Sequence, residues 1–257
     1  MNYKIVFFDV DGTLINYEDG CISTSTKRAL QILQSKGIRL VAATGRPLSM
    51  CQDLKDLGID TFITANGAYT KHQDLVIHKI ALPKHIVHSV KKVAAKNKQS
   101  LSFFTEELTM NRIQNPTTFQ AMSETLSLLE YPKLNEEKFD EEVYLMCLYV
   151  GEEIIPKYEM QFPDLIFQRW HPNIVNVLHE EVSKSIAIKE VLKYFDIVSS
   201  EALAFGDGDN DIDMLALVGY GISMGNGSDK LKKSADFVTK NSSEDGIEFA
   251  LQHLQLI

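Results

Sequence analysis

Residues 3–14 read Tyr-Lys-Ile-Val-Phe-Phe-Asp-Val-Asp-Gly-Thr-Leu, an apolar run from Tyr3 to Phe8 that breaks on Asp9-Val10-Asp11-Gly12-Thr13. Such a run reads as a buried strand, and the acidic turn as the loop that leaves it. Thr24 to Lys36 then has helical spacing, Gly37 supplies a C-terminal cap, and Ile38 to Ala43 is a second apolar run ending in Thr44-Gly45-Arg46-Pro47. The pattern repeats: a helix from about Leu48 to Leu57 stops at Gly58, and Thr61 to Thr64 makes a short strand before Asn66-Gly67.

The last third resumes the alternation. A helix over Ser185 to Phe195 leads into the strand Ala202 to Phe205, which ends in Gly206-Asp207; strands at Tyr220 to Met224 and Asp236 to Thr239 follow, with a helix at Asp211 to Leu217 between the first two. Strands alternating with helices predict an α/β fold, a Rossmann-like parallel sheet with helices on both faces. Ligands of such sheets sit beyond the carboxyl ends of the strands, where these polar motifs fall.

The middle is different. From 82 to 182 the strands are longer and more alternating, at Glu142 to Val150, Leu165 to Trp170 and Ile174 to Leu178, and Pro116, Pro132, Pro156, Pro163 and Pro172 punctuate them. With helices near Lys84 to Lys96 and Thr117 to Leu129, this stretch reads as a small α/β cap inserted into a core made of 1–81 and 183–257. Phe103, Phe104 and Met110 are expected in its core. Trp170 and His171 are expected to be a buried aromatic and a histidine with a partner rather than groups facing a cleft.

Composition narrows the function. The net charge of −9, with no basic cluster larger than Lys91-Lys92 or Lys232-Lys233, speaks against nucleic-acid binding. Cys21, Cys51 and Cys147 are odd in number and show no CxxC spacing, which suits a reduced, cytoplasmic protein without a disulfide framework or zinc site. Met1 to Phe8 is too short for a signal segment and Val143 to Val150 too short to span a bilayer, so no membrane role is expected. Nothing in the sequence points to a protein partner.

Two carboxylates two residues apart at a strand end can share one site, one attacking while the other moves protons, although Asp-Gly after a strand is also an ordinary turn. Gly206-Asp207-Gly208-Asp209-Asn210-Asp211, also after an apolar strand, brings a second acidic group to the same sheet edge. It could instead cap the next helix. Asp9, Asp11, Asp207 and Asp211 cannot crowd together ionised without a cation, and oxygen ligands select a hard ion such as Mg²⁺. An EF-hand is excluded, because a loop starting at Asp207 puts Ile212 and Val218 at its sixth and twelfth positions, and one starting at Asp9 puts Leu14 and Gly20 there. There is no P-loop, and Gly225-Asn226-Gly227 lacks a dinucleotide fingerprint's third glycine. Thr44-Gly45-Arg46 could receive a phosphate at a helix start or merely cap it, and Lys184 could reach the same phosphate or be a solvated surface group.

Taken in order, Phe8 to Leu14, Thr44-Gly45-Arg46, Lys184 and Gly206 to Asp211 resemble the four motifs of the haloacid dehalogenase-like (HAD) superfamily, in particular its Cof-type (IIB) subgroup. The likeness covers the whole chain. It implies a Mg²⁺-dependent phosphatase of small phosphorylated metabolites, of the sugar phosphate, nucleotide, pyridoxal phosphate or flavin mononucleotide class. It implies Asp9 as nucleophile and metal ligand, Asp11 as general acid/base and a ligand through its carbonyl, and Asp207 as the other carboxylate on the metal. Thr44, Gly45, Lys184 and Asn210 would bind the phosphoryl group, and Asp211 would orient Lys184 or a metal-bound water. The family usually has Gly after the motif lysine, where this chain has Ser185; Asp209 is unassigned.

Two other readings remain. A phosphomutase would return the phosphoryl group to a sugar, but the family's sugar-phosphate β-mutases carry their cap after the first motif, and only about 30 residues separate Asp11 from Thr44. A non-catalytic sensor of a phosphorylated metabolite is disfavoured because each catalytic position keeps a competent residue.

Overall fold

A computed structural model describes residues 3–126, 128–132 and 141–257. The expectations above that touch Met1, Asn2, Ser127 and Lys133 to Asp140 lie outside the described residues. The chain forms two units, one of Met1–Arg46, Cys51–Lys79 and Ser183–Ile257, the other of Pro47–Met50 and Ile80–Val182.

The first unit is built on an eight-stranded sheet in the order Phe237–Val238, Tyr220–Ser223, Ala202–Gly206, Ile5–Phe8, Arg39–Ala43, Thr61–Thr64, Tyr69–His72, Leu75–Lys79. The first six strands are parallel, as the alternation of strands and helices requires. The last two continue the sheet antiparallel through a hairpin that the sequence reading did not anticipate. Tyr69–His72 alternates poorly, and its apolar content is low. On Ile5–Phe8 the side chains alternate between faces. Ile5 and Phe7 pack on Ala187, Ile188 and Val191 of the helix Lys184–Tyr194, while on the neighbouring register Phe8 stacks on Phe205, with ring centroids 5.2 Å apart. On Thr24–Ser35, Ala29, Leu30 and Leu33 are buried; this helix touches the strand Arg39–Ala43 and the helix Gly246–His253. Ser23 caps it, its hydroxyl accepting from the Thr26 N–H.

Between Pro47 and Gly58 the expected ten-residue helix is reduced to a tight turn at Leu48–Met50 and one helical turn at Gln52–Lys55. Cys51 leaves helical geometry (φ −112°, ψ 15°) and no side chain caps the start. Further along, Lys184 is the first residue of its helix, with Ser183 as cap, one residue earlier than the sequence suggested.

The second unit has a five-stranded antiparallel sheet, in the order Leu108–Met110, Ser100–Phe104, Leu145–Tyr149, Ile174–His179, Leu165–His171, with the helices Lys84–Lys96, Pro116–Leu126 and Ile155–Gln161. Its core gathers Val87, Val90, Leu101, Phe103, Met146 and Val175, and Phe104 and Met110 are also buried. Trp170 corrects the expectation of a buried aromatic: it is 48% exposed, because Leu165–His171 is an edge strand, and its indole N–H reaches Asn176 Oδ1 at 2.9 Å. His171 does have a partner, Glu124, at 3.3 Å.

Phe205, on the strand Ala202–Gly206, is fully buried against Phe8. Its replacement, Phe205→Ala, is expected to cost about 3–5 kcal/mol in a urea titration. A loss under about 1 kcal/mol would mean that this strand does not carry the core.

Candidate active site

The strand Ile5–Phe8 lies between Ala202–Gly206 and Arg39–Ala43, with Phe8 opposite Phe205 on one side and Ala42 on the other. The chain therefore leaves the central strand towards one edge and returns on the other, which opens a crevice at the strands' carboxyl ends. Asp9, Asp207 and Thr44 each follow one of these three strands. The Asp9 N–H donates to the Phe205 carbonyl at 2.9 Å, and the Thr44 N–H to the Ile63 carbonyl at 2.8 Å, so the loops start from fixed points.

Lys184 is the charge that joins them. Its Nζ lies 2.5 Å from Asp9 Oδ1 and 2.6 Å from Asp211 Oδ1, and its side chain is 1% exposed. The other Asp211 oxygen accepts the backbone N–H groups of Asp207 and Gly208, both at 3.0 Å. Gly206 makes this approach possible, since a Cβ there would stand 2.6 Å from the Asp211 Cβ. Asp207 Oδ1 accepts from the Thr13 hydroxyl at 3.1 Å. Gly12, at φ +88°, sits beside it; an added Cβ would be 2.7 Å from Asp207 Cγ.

Asp9, Asp207 and Asp211 each offer a carboxylate oxygen within 4.8 Å of the others. Three carboxylates thus face one ammonium. Burial, with the charges of Asp211 and Asp207 added and Lys184 in partial opposition, holds the Asp9 carboxyl well above the usual range. Burial and then the Asp211 charge push Asp207 up to about 7. Burial works against the Lys184 ammonium, yet Asp211 and Asp9 outweigh it and raise its pKa. The cluster lacks positive charge, and its all-oxygen donor set fits a hard divalent ion. Asp211 is the least available of the three, because both its oxygens already accept strong hydrogen bonds.

Asp11 turns elsewhere. Its carboxylate is gripped at both oxygens by Arg46, through Nε at 2.9 Å and through Nη2, while its backbone carbonyl accepts the Tyr17 hydroxyl at 2.9 Å. That same hydroxyl is 3.5 Å from Asp207 Oδ2, so the Asp11 carbonyl and the Asp207 carboxylate converge on one atom. Thr44 is buried, its hydroxyl accepting the Arg46 N–H at 3.0 Å. Gly45 faces the Asn66 amide, and Asn210 Nδ2 donates to Asn66 Oδ1 at 3.2 Å. Ser185 fits without strain: its N–H reaches Asp213 Oδ2 at 3.1 Å and its hydroxyl pairs with that of Ser183. Asp209 points outward, to the Ser228 hydroxyl.

Arg46, Thr13, Tyr17, Asn66 and Asp213 are contacts to the cluster that the sequence reading did not assign. Arg46 stood inside a quoted motif and Asn66 inside a turn dipeptide; Tyr17 lies in a loop with no periodic signal. Among the described residues no helix is long and apolar enough to cross a membrane.

Residues 6–251 match the model of a haloacid dehalogenase-like hydrolase family. YkrA of Bacillus subtilis, a protein named as a phosphatase, is 32% identical over 100% of both chains. The 5-amino-6-(5-phospho-D-ribitylamino)uracil phosphatase YcsE of Bacillus subtilis is 28% identical, over 98% of this chain and 96% of its own. The structure of the HAD subclass IIB sugar phosphatase BT4131 superposes with a TM-score of 0.85 at 34% identity, covering 99% of this chain and 100% of that one.

The raised Asp207 carboxyl sets the sign of a pH effect in metal-free protein. A folded-state value of about 7 against an ordinary 3.8 means stability that is present below 3.8 and lost as pH rises through about 7. In chelator, Asp207→Asn should therefore melt above the parent chain by roughly 2–4 °C or more at about pH 8, and the gap should narrow steadily as pH falls from about 7 towards 3.8. A gap that does not change with pH would remove this charge conflict.

Proposed function

The chain belongs to the haloacid dehalogenase-like hydrolase family, and on that premise we propose that it is a Mg²⁺-dependent phosphatase acting through a phosphoaspartate on Asp9. The observation that carries the reading is the Lys184 ammonium, 2.5 Å from Asp9 Oδ1, in a cluster that still has an excess of carboxylate. The buried ammonium favours the ionised nucleophile against the burial and neighbouring carboxylates that raise it, and a bound divalent ion would add to that effect.

Asp9, Asp207 and the Asp11 carbonyl would hold the ion, which supplies charge neutralisation for the phosphate oxygens. The chain's own groups do the rest. Thr44, the Gly45 backbone, Lys184 and Asn210 receive the phosphoryl oxygens, and Asp211 keeps Lys184 aimed at them. An Asp9 oxygen forms a bond to phosphorus as the bond from phosphorus to the ester oxygen breaks, and Asp11 gives its proton to that leaving oxygen. Asp11 then takes a proton from water, which attacks the phosphoaspartate; inorganic phosphate leaves and the Asp9 carboxylate returns. The two-pronged Arg46 contact matches a carboxylate with both oxygens free to accept, the form in which Asp11 acts on water. Arg46 is thus a positioning residue for the second half-reaction.

The substrates are small phosphomonoesters. The names of BT4131 and YcsE, a sugar phosphatase and a phosphoribityl-compound phosphatase, put sugar and polyol phosphates first among them, ahead of nucleotides, pyridoxal phosphate and flavin mononucleotide. We assign the choice among them to the second unit, as the family resemblance implies, and the cytoplasm as the place of action.

The test is hydrolysis of p-nitrophenyl phosphate with Mg²⁺ or chelator, together with acid quenching of a reaction with labelled phosphate donor. Activity should need the metal, label should stay on the protein, and Asp9→Asn should lose both, with turnover down by about three orders of magnitude or more. Labelled, active Asp9→Asn would end the proposal. Arg46→Ala should lower kcat by about 10–100-fold while labelling persists, because the loss falls on hydrolysis of the intermediate.

A further inference from the structure

The strand Thr61–Thr64 ends in a turn where three successive residues have positive φ, Ala65 at 50°, Asn66 at 57° and Gly67 at 105°. Glycine adopts such angles freely and asparagine tolerates them, but alanine does so only under constraint. Strained backbone of this kind persists where the surroundings over-determine it. Here the surroundings are the phosphate-holding segments themselves. The Asn66 N–H donates to the Thr44 carbonyl at 3.0 Å and the Ala65 N–H to the Arg46 carbonyl at 3.1 Å. Gly67 presses on the start of the Lys184 helix, where a Cβ would stand 2.6 Å from the Ser183 carbonyl carbon and 3.1 Å from the Lys184 nitrogen. The Asn66 side chain, on a residue 7% exposed, accepts from Asn210 Nδ2 at 3.2 Å and lies 3.2 Å from where a Gly45 Cβ would be.

One turn therefore touches every segment assigned above to the phosphoryl group, although none of the four motifs contains it. We infer that Asn66 is a positioning residue of the phosphate pocket: its amide aims Asn210, and its backbone spaces Asn210 from Thr44 and Lys184. The inference rests on the reading that those residues hold phosphate. Asparagine suits the place on two counts. It tolerates a left-handed backbone, and its neutral carbonyl accepts from Asn210 without adding a carboxylate to a site that must admit an anion. Glycine meets the first requirement alone, and aspartate meets it while adding charge.

That separation gives the experiment. Inorganic phosphate, the product, is measured as a competitive inhibitor of p-nitrophenyl phosphate hydrolysis with Mg²⁺ present, in the full chain and in Asn66→Gly, Asn66→Asp, Asn210→Ala and the double variant Asn66→Gly/Asn210→Ala. A residue serving only the backbone would leave Asn66→Gly with the parent's inhibition constant, since glycine relieves the strain. A positioning amide instead predicts a rise of about five- to ten-fold in Asn66→Gly, from loss of one directed hydrogen bond, with the melting temperature held within a few degrees. Asn66→Asp should rise further, by repulsion. The double variant should bind phosphate no more weakly than Asn210→Ala, because both changes remove one interaction. Parent-like inhibition in Asn66→Gly, or in Asn66→Asp should the glycine variant not fold, overturns the inference. Parent-like inhibition in Asn210→Ala removes Asn210 from the phosphate-holding set, and Asn66's role with it. A rise in Asn210→Ala without one in Asn66→Gly removes the role of Asn66 alone.

Discussion

The Lys184 ammonium, 1% exposed and bonded to Asp9 at 2.5 Å and Asp211 at 2.6 Å, is the contact on which the site depends. Taking an ammonium and two carboxylates out of water costs several kcal/mol per ion, and only near-complete pairing offsets it. The pairing is close to complete on Asp211, whose second oxygen receives two backbone N–H groups. It is incomplete on Asp9 and Asp207. The strand end at Asp9, the helix start at Lys184 and the loop from Gly206 to Asp211 are thereby one unit; moving any of them strands a buried charge.

Such a cluster cannot be stable by itself, so the sheet must hold it. Parallel neighbours lie about 4.8 Å apart. With Phe8 in register with Phe205, acidic loops from opposite ends of the chain emerge side by side at the same height. The core beneath them, Phe7, Ile5 and Ala204 against Ala187, Ile188 and Val191, gives the fold its stability, and the repulsion above it is a local debt. Gly206 and Gly12 then remove the Cβ atoms that would keep the carboxylates apart.

The parts of this arrangement with a period or a fixed spacing were readable in the sequence. Apolar runs ending in acidic or hydroxyl residues showed the core strands and the edge where they deliver Asp9, Thr44 and Asp207, and the order of motifs added Lys184. What lacked a period was missed. The hairpin Tyr69–His72 to Leu75–Lys79 belongs to the sheet through pairing with Thr61–Thr64, a tertiary fact with little local signature. Trp170 looked like core because tryptophan usually is, but an edge strand leaves one flank open. Tyr17 and Asn66 act by contacts across the fold, and Asn66-Gly67 reads locally as a turn and nothing more.

Tyr17 also exposes the electrical character of the site. Its hydroxyl donates to the Asp11 carbonyl and approaches Asp207 Oδ2, satisfying lone pairs where a cation would fit, but a neutral donor supplies no charge. Asp9 and Asp207 accordingly keep raised carboxyls. Ionised, the cluster would repel a phosphate dianion, since one ammonium would then answer to three carboxylates. On the proposed reading a divalent ion would reverse the balance, and an anion would in turn draw the ion in. Phosphate and metal would then raise each other's affinity by one shared factor, because linkage between two binding equilibria is reciprocal. On the proposed reading, the charge deficit around Lys184 is what a divalent ion and an anionic substrate would balance together.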